Sequence, residues 1–471
     1  MTSAVRLAGR LSPRHVAPAV MATAVVLFTV AGRHQWFTRD DWAFLLTRRA
    51  MREQLGVTDW LLTAQDGHWM TPPLLVYWAV EAMFGIGSYA PFLVVNLALH
   101  VAAVTGIAVL CRRCGVRDWT TLLVCSLLLV FGSGWENLLF AVQVTYNLSL
   151  VAFVAHLLLV DHDGPIGRRD VLGAVVGIVG VSSSAFGPFF GAAIFVVLVW
   201  RRRRRAALVA AIPQGVLYLW WLVTWGSDPA GARGDASVVG AAKFARLALT
   251  ATLNGMTGQV IFAGAALFGI VAVVFATPLS TRQRSLVTVL AVTPLPVLLA
   301  IGWQRATFGL DSAASPRYQY MTAMVLAVPF ALAIDQLRRV HPRGVQVGAL
   351  LVAIAAVSNA RLLVDAGNGW ADRSSRARDV FELVAGAPGA YRLVTHWARM
   401  QGSLPGHVRL RVADSEVTAP LAFSAGQCGN VVLPKLELPA ASSPGALPRS
   451  ALQVTVTQAD FVLDWVELEA L

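Results

Sequence analysis

Charged residues are scarce in this sequence: Asp, Glu, Lys and Arg make up 14% of its 471 residues, whereas 56% are hydrophobic. The mean hydropathy of +0.62 lies far above that of a soluble domain. The scarcity of charge therefore excludes a water-soluble fold as the starting interpretation.

Lysine is almost absent, since only Lys243 and Lys435 accompany the arginines that give the net charge of +12. This bias is typical of a GC-rich bacterial genome. The arginines cluster in short segments between apolar runs, as expected for the cytoplasmic loops of a membrane protein. The positive charge thus indicates membrane topology, and no nucleic-acid partner is predicted.

Cysteine is also scarce, with four residues in the chain. Cys111 and Cys114 form a Cys-Arg-Arg-Cys sequence, which suits either a redox or metal pair or two thiols at a cytoplasmic helix end. No second Cys or His pair stands at zinc spacing, and Cys125 and Cys428 lie apart. Neither a metal site nor a disulfide framework is predicted. Dinucleotide and P-loop glycine motifs and internal repeats are missing too.

Apolar runs, by contrast, are abundant, and many approach the ~20 residues that cross ~30 Å of hydrocarbon. They predict an all-α polytopic membrane protein of about eleven spans with a cytoplasmic N-terminus and its basic clusters inside. The predicted spans cover residues 16–32, 90–110, 119–134, 138–160, two short segments within 171–200, 206–225, 258–276, 286–302, 318–334 and 345–360.

The segment from Val171 to Trp200 runs between two basic clusters and must therefore cross an even number of times. It is too long for one span and short for two. The break at residues 182–188 predicts a hairpin of short or re-entrant helices.

This topology places a first loop, residues 33–71, on the outer face. The next segment, residues 72–85, opens with Pro72-Pro73 and carries Tyr77 and Trp78. Counting it as a span would put Arg112 and Arg113 outside, so we predict a helix lying in the outer interface.

The chain changes character after residue 360. Residues 1–360 are predicted to form the transmembrane domain, and residues 361–471 a small extracytoplasmic domain of β-rich or mixed α/β fold. Alternating stretches at 408–412 and 452–456 predict strands, and a helix is expected near residues 374–384.

Ionisable residues near a bilayer are costly and are therefore candidates for a functional site. The first outer loop begins with an acidic pair, Asp40-Asp41, and continues to His68, shortly before Pro72. The alternative for the acidic pair is an ordinary interfacial position or a helix cap. The alternative for His68 is a structural histidine at the interface.

An acidic pair just beyond the first span, followed by a Pro-Pro-Leu interfacial helix, resembles the GT-C class of membrane glycosyltransferases. Protein O-mannosyltransferases and aminoarabinose transferases are the most similar families. The motif covers about the first 110 residues, and the resemblance implies a donor sugar linked to a polyprenyl phosphate. By position, Asp40 matches the catalytic acid of that class, Asp41 its acidic neighbour, and Pro72-Pro73-Leu74 the interfacial helix.

The residues themselves suit this chemistry. A carboxylate such as Asp40 can take the proton of an acceptor hydroxyl, and a leaving phosphate needs cations at the same depth. Arg305 and Arg317 flank a predicted outer loop, and Arg317-Tyr318 resembles an Arg-Tyr pair at a helix start in GT-C relatives. Arg317 is alternatively a snorkelling anchor.

A further polar group falls at the outer ends of two adjacent predicted spans. We expect it to line the substrate cleft; the alternative is hydrogen bonding between helices. Its members are Glu136, Asn137, Gln143, Tyr146 and Asn147.

The sequence thus predicts a metal-independent, inverting glycosyltransferase without a cofactor in a bacterial plasma membrane. It moves a sugar from a polyprenyl-phosphate donor to an envelope glycan, lipid or protein. Two alternatives stay open: a lipid-linked-sugar flippase or other transporter, and an envelope polysaccharide polymerase or ligase. Charged groups at mid-bilayer and paired broken helices would favour the transporter.

Overall fold

The apolar runs of the sequence form helices that suit a membrane. In the computed structural model, six described helices are long and apolar enough to cross, or eight if each of two bent helix pairs is one span. The described residues are 12–37, 40–65, 67–226, 237–258, 263–306, 309–386 and strand segments between 390 and 470. The molecule is therefore mostly helical, and the count of eleven spans stays a prediction.

The helices of the first half are, in chain order, α1 Pro13–Gly32, α2 Asp40–Trp42, α3 Arg48–Leu55, α4 Val57–Leu62, α5 Thr71–Phe84, α6 Ala90–Arg113, α7 Asp118–Leu129, α8 Trp135–Leu139, α9 Val144–Val160, α10 Arg168–Val181 and α11 Gly187–Trp200. A π-helical turn, Ala43–Thr47, joins α2 to α3.

The helices of the second half are α12 Arg204–Ala210, α13 Ile212–Thr224, α14 Val238–Thr257, α15 Ala263–Ala276, α16 Thr281–Val292, α17 Pro294–Arg305, α18 Pro316–Val340 and α19 Gly344–Gly386. A 3₁₀ turn, Leu310–Ala314, precedes α18.

Local sequence explains where several of these helices begin. Proline occupies the first turn of α5 and α18, where its fixed φ suits a helix and its missing N–H costs nothing. Ser237 caps α14 by accepting a hydrogen bond from the Gly240 backbone N–H at 2.9 Å. Ser280 opens α16 with a capping box completed by Gln283.

Arginines from distant segments meet at one end of the bundle, which we call the arginine-rich end. The carboxylate of Asp161, which follows α9, lies 2.9 Å from Arg113, 3.1 Å from Arg201 and 2.7 Å from Arg282. Burial opposes ionisation of Asp161, but hydrogen bonds from Arg282 and Arg113 hold the pKa of this carboxyl below its ordinary value. The arginines predicted to share one membrane face thus lie together.

The predicted hairpin at residues 171–200 is present as α10 and α11. Each helix has 14 residues, or about 21 Å, which is short of a full span. Asp170 near the start of α10 pairs with Arg203 just beyond α11 at 3.1 Å. Both ends of the hairpin therefore lie at the arginine-rich end.

Two segments predicted as loops contain helices. Residues 33–71 hold α2, α3 and α4, and the region between the predicted spans 206–225 and 258–276 holds α14. Helix α14 carries Lys243 and Arg246 on its exposed side, with Ala241, Phe244, Ala245 and Ala248 buried. Such an amphipathic helix is not an apolar run, which is why a search for spans missed it.

The end of the bundle opposite the arginines is called the loop end. Helix α14 starts beside Ala306 and ends beside Ser133, so both of its termini lie there. Helix α5 agrees with the predicted interfacial helix to within a residue at each end. Its orientation in the membrane stays a prediction.

Helix α19 runs for 43 residues, so the predicted domain boundary at residue 361 and the separate helix expected at 374–384 both fall inside it. The strands that follow are β1 Ala390–Met400, β2 Gly406–Val412, β3 Ser415–Leu421, β4 Cys428–Val432, β5 Leu436–Glu437, β6 Leu452–Val456 and β7 Phe461–Ala470.

These strands pair antiparallel in two sheets. In one sheet β4, β5 and β7 pair with β1, and in the other β2 lies between β3 and β6. The alternating stretches 408–412 and 452–456 fall in β2 and β6, which pair with Val408 opposite Val456. That this region forms an extracytoplasmic domain stays a prediction.

Candidate functional site

The N-terminus of α18 carries an arginine that a distant carboxylate holds in place. The Nε of Arg317 donates to Oε2 of Glu136 at 2.8 Å, joining α18 to α8 across 181 positions of sequence. The terminal nitrogens of Arg317 donate to no group that the structure describes. Two donors of the guanidinium are thus left for an anion.

A cation at a helix N-terminus is opposed by the helix dipole, so Arg317 needs a compensating negative charge. Glu136 supplies this charge, and its side chain is only 10% exposed. The pair therefore fixes a guanidinium where backbone N–H groups also favour an anion.

The charge of Asp40 acts on this pair. Asp40 is exposed at the start of α2, and its charge interacts with both Arg317 and Tyr146. Arg305, at the end of α17, also interacts with Tyr146. The charges of the predicted base Asp40 and of the predicted phosphate ligands Arg305 and Arg317 thus all act on Tyr146.

Asp41 has different surroundings from Asp40. It is 1% exposed and accepts a hydrogen bond from the hydroxyl of Tyr77 on α5. Burial, together with the neighbouring carboxylate of Asp41, raises the pKa of Tyr77 well above its ordinary value. Tyr77 therefore stays protonated and donates to Asp41, which ties the acidic pair to the interfacial helix.

Tyr318 packs beside Arg317 and is covered by α14. Its ring lies 5.8 Å from that of Phe244, measured between centroids. Helix α14, which was not predicted, therefore forms part of the wall behind the arginine.

The asparagines of the predicted polar group bind other helices. Nδ2 of Asn147 donates to Oδ1 of Asn96 at 2.8 Å and to the backbone oxygen of Asn137 at 3.0 Å. Asn96 donates in turn to the same oxygen at 2.9 Å. For Asn147 the alternative of interhelical hydrogen bonding is thus the one observed. Asn96, on α6, was not predicted because it stands alone in an apolar run.

Some polar atoms of this group are buried without a partner among the described residues. They are both side-chain amide atoms of Asn137, Oε1 of Gln143 and Oδ1 of Asn147. Buried polar atoms cost free energy when unpaired, so they need water or a bound molecule.

His68 lies in a turn whose backbone pairs Gln65 with His68. Gly67 in this turn has a φ of +75°, a conformation that favours glycine. The next residue, Trp69, stacks on Trp221 with ring centroids 5.4 Å apart. The assignment of His68 to the site stays a prediction.

A groove of about 700 Å³ lies between α3, α4 and α5. Arg49 pairs with Glu53 and Glu81, each at 3.2 Å. Arg52 lies over the rings of Trp60 and Trp78, at 4.9 Å and 5.5 Å from their centroids. Apart from the interfacial aromatics Tyr77 and Trp78, no pattern in the sequence predicted this groove.

The cysteines of the Cys-Arg-Arg-Cys sequence do not form a reactive pair. Cys111 and Cys114 are buried free thiols, and burial raises the pKa of Cys114 to about 12. A thiolate is the nucleophile and metal ligand, so the structure favours two inert thiols at a helix end.

Comparison with known proteins adds no family: no family model matches the chain, and no curated protein or solved structure matches it. Within the described ranges, no group of three His, Cys, Asp or Glu side chains is placed to hold a metal ion. The site is therefore interpreted from its own geometry.

Proposed function

We propose that the chain is a GT-C-like glycosyltransferase that moves a sugar from a polyprenyl phosphate to an acceptor hydroxyl. The observation that carries the proposal is the guanidinium of Arg317, which Glu136 holds through Nε at 2.8 Å at the loop end and on which the charge of Asp40 also acts. A base and a phosphate-binding cation within reach of one another are what this transfer requires.

The reaction is a single displacement. The acceptor oxygen attacks the anomeric carbon, its proton passes to the Asp40 carboxylate, and the bond between the sugar and the phosphate oxygen breaks. The leaving polyprenyl phosphate keeps the electron pair. Displacement in one step inverts the anomeric configuration.

Arg317 and Arg305 take the charge of the leaving phosphate on this proposal. With its Nε held by Glu136, Arg317 presents its terminal nitrogens as a fork that matches two phosphate oxygens. Glu136 acts as a positioning residue. Tyr318 and α14 restrict the movement of the arginine.

The setting of the proposal is bacterial envelope assembly. The arginine-rich end and the N-terminus face the cytoplasm by the positive-inside bias, the loop end faces outward, and residues beyond α19 form an extracytoplasmic domain. The acceptor is an envelope glycan, lipid or protein.

Transfer is tested in membranes that contain the full chain and are supplied with a radiolabelled polyprenyl-phosphate sugar. Wild type is expected to move label from the lipid fraction to an acceptor. Arg317→Ala is expected to raise the KM for the donor at least tenfold, since it removes charge-assisted hydrogen bonds of ~1.5–3 kcal/mol each. Arg246→Ala, an exposed arginine of α14, is the control.

Wild-type transfer with an unchanged donor KM in Arg317→Ala would show that the phosphate binds elsewhere. Label that crosses the membrane without changing its lipid carrier would favour the flippase alternative.

A further inference from the structure

The groove between α3, α4 and α5 has a chemistry unlike that of the phosphate site. Among the ionisable residues lining it, Arg49 and Arg52 are balanced by Glu53 and Glu81. These four side chains therefore leave the groove without a net charge. At the phosphate site Arg305 and Arg317 are likewise matched in number by Glu136 and Asp40, but Arg317 there keeps its terminal nitrogens unbonded among the described residues.

The lining groups suit hydroxyl-rich ligands. A sugar hydroxyl both donates and accepts, so it can bridge a carboxylate and a guanidinium that already lie 3.2 Å apart, as Arg49 and Glu81 do. Trp78 is 46% exposed and provides an apolar surface for a sugar ring. The volume of about 700 Å³ lies within the ~300–1,000 Å³ of ligand pockets.

The groove is joined to the acidic pair through one side chain. Tyr77 lines the groove, and its hydroxyl donates to Asp41, the neighbour of Asp40 in α2. A molecule that fills the groove as far as Tyr77 therefore contacts the side chain that bonds Asp41, the chain neighbour of the proposed base.

We infer that this groove binds the acceptor and that the acceptor is a neutral saccharide. The inference rests on the proposed function, and it deepens that function by naming the acceptor class. Arg49 and Glu81 bind sugar hydroxyls, Trp78 contacts a sugar ring, and Tyr77 marks the end of the groove nearest the reaction.

Binding is tested on the purified full chain in detergent by saturation-transfer NMR with three neutral probes: mannotriose, maltotriose and cellotriose. At least one is expected to bind wild type. Trp78→Ala and Glu81→Gln are each expected to weaken that binding about tenfold, because each removes a contact worth ~1.4 kcal/mol. Trp119→Ala is the matched control, since Trp119 is 50% exposed on α7 at the arginine-rich end.

Equal binding by wild type and Trp78→Ala overturns the inference, as does a wild type that binds none of the three probes. Retention of phosphatidylglycerol by wild type and its loss from Arg49→Gln, seen by native mass spectrometry, would make the groove a lipid site and also overturn it.

The transfer assay separates this inference from the proposed function. If wild type transfers no sugar but Trp78→Ala loses saccharide binding, the transferase proposal and the acceptor role fail, and the groove stands only as a saccharide-binding site. If transfer occurs and the acceptor KM of Trp78→Ala equals that of wild type, the groove assignment alone fails.

Discussion

Asp40 and Asp41 are neighbours in the chain with opposite surroundings: Asp40 is exposed near Arg317, whereas Asp41 is buried against Tyr77. Adjacent residues of a helix point about 100° apart, so the two carboxylates cannot serve one hydroxyl equally. On the proposed function, we therefore assign the proton-accepting role to Asp40 and a positioning role to Asp41.

We therefore expect Asp40→Asn to slow transfer by ~10²-fold to 10⁴-fold, the usual cost of losing a general base. Its donor KM and protein level should match wild type, because asparagine keeps the size of the side chain. The measurement is sugar transfer in membranes with quantified protein. Asp41→Asn is the comparison, and the assignment is off by one residue if only Asp41→Asn loses activity.

Because Glu136 acts through Arg317 on the proposed function, substituting it should change the KM for the donor and leave kcat nearly unchanged. Glu136→Gln removes the charge that holds Nε, so the donor KM should rise about three- to tenfold, equivalent to ~0.6–1.4 kcal/mol, while kcat changes little. Asp311→Asn, an exposed acid in the preceding 3₁₀ turn, should leave both constants unchanged. A fall in kcat alone would place Glu136 in the chemical step.

The sequence singled out Asp40, Glu136 and Arg317 as candidates because charge at a helix end stands out in an apolar chain. It missed His100 and Tyr320, which bond to each other at 2.8 Å in the bundle interior. Each is a single polar residue within an apolar run, and only the three-dimensional packing pairs them. Arg49 and Arg52 were missed because loop arginines carry no spacing signal.

At the scale of elements, long apolar helices were predictable and amphipathic ones were not. The predicted spans at 16–32 and 318–334 fall within α1 and α18, whereas α14 was missed. Its position depends on close contact with α17: a Cβ added at Gly302 would lie 2.8 Å from the Cβ of Phe244 and 2.9 Å from the backbone oxygen of Ala241.

Gly302→Val is therefore expected to push α14 away from α17. The free energy of unfolding should fall by ~1–3 kcal/mol or more, as in other overpacked cores. Because Phe244 also packs on Tyr318, transfer should fall as well. Gly215→Val is the matched control, since no atom lies within 4 Å of a Cβ at Gly215. Stability is measured in a Cys428→Ser background by thermal unfolding with a thiol-reactive dye, which then reports exposure of Cys111, Cys114 and Cys125. Equal unfolding temperatures for the two variants would contradict the contact.

At the scale of the whole molecule, Asp161 joins the ends of α6, α9, α11 and α16. Asp161→Asn should lower the unfolding free energy by about 3 kcal/mol, the lower end of the cost of breaking a buried ion pair, because only Arg201 among its partners is itself buried. The same dye assay measures it. Asp163→Asn is the control: Asp163 also pairs with Arg201, but its side chain is 74% exposed, and such pairs contribute little.

The lowered pKa of Asp161 gives this contribution a pH dependence. It is fully present above the ordinary pKa of an aspartate and is lost as pH falls through the lower pKa of the folded state. Wild type and Asp161→Asn should therefore approach one another in stability only at strongly acidic pH. A constant difference down to that range would assign the stabilisation to other groups.

The two ends of the bundle also predict where the chain leaves the membrane. Helix α19 starts beside Leu337, near the arginine-rich end, and passes Gly367 against Ala31 at the end of α1. The chain after α19 therefore emerges at the loop end, on the same side as Asp40.

Because the arginine-rich end is expected in the cytoplasm, a reporter that is active only in the cytoplasm should be silent when fused to Leu471. The same reporter fused after Arg205, in the arginine-rich segment, should be active. A bright fusion at Leu471 together with a silent one at Arg205 would show that the topology is the reverse of the one expected. Asp40 and Arg317 would then face the cytoplasm, and the donor would be a cytoplasmic one.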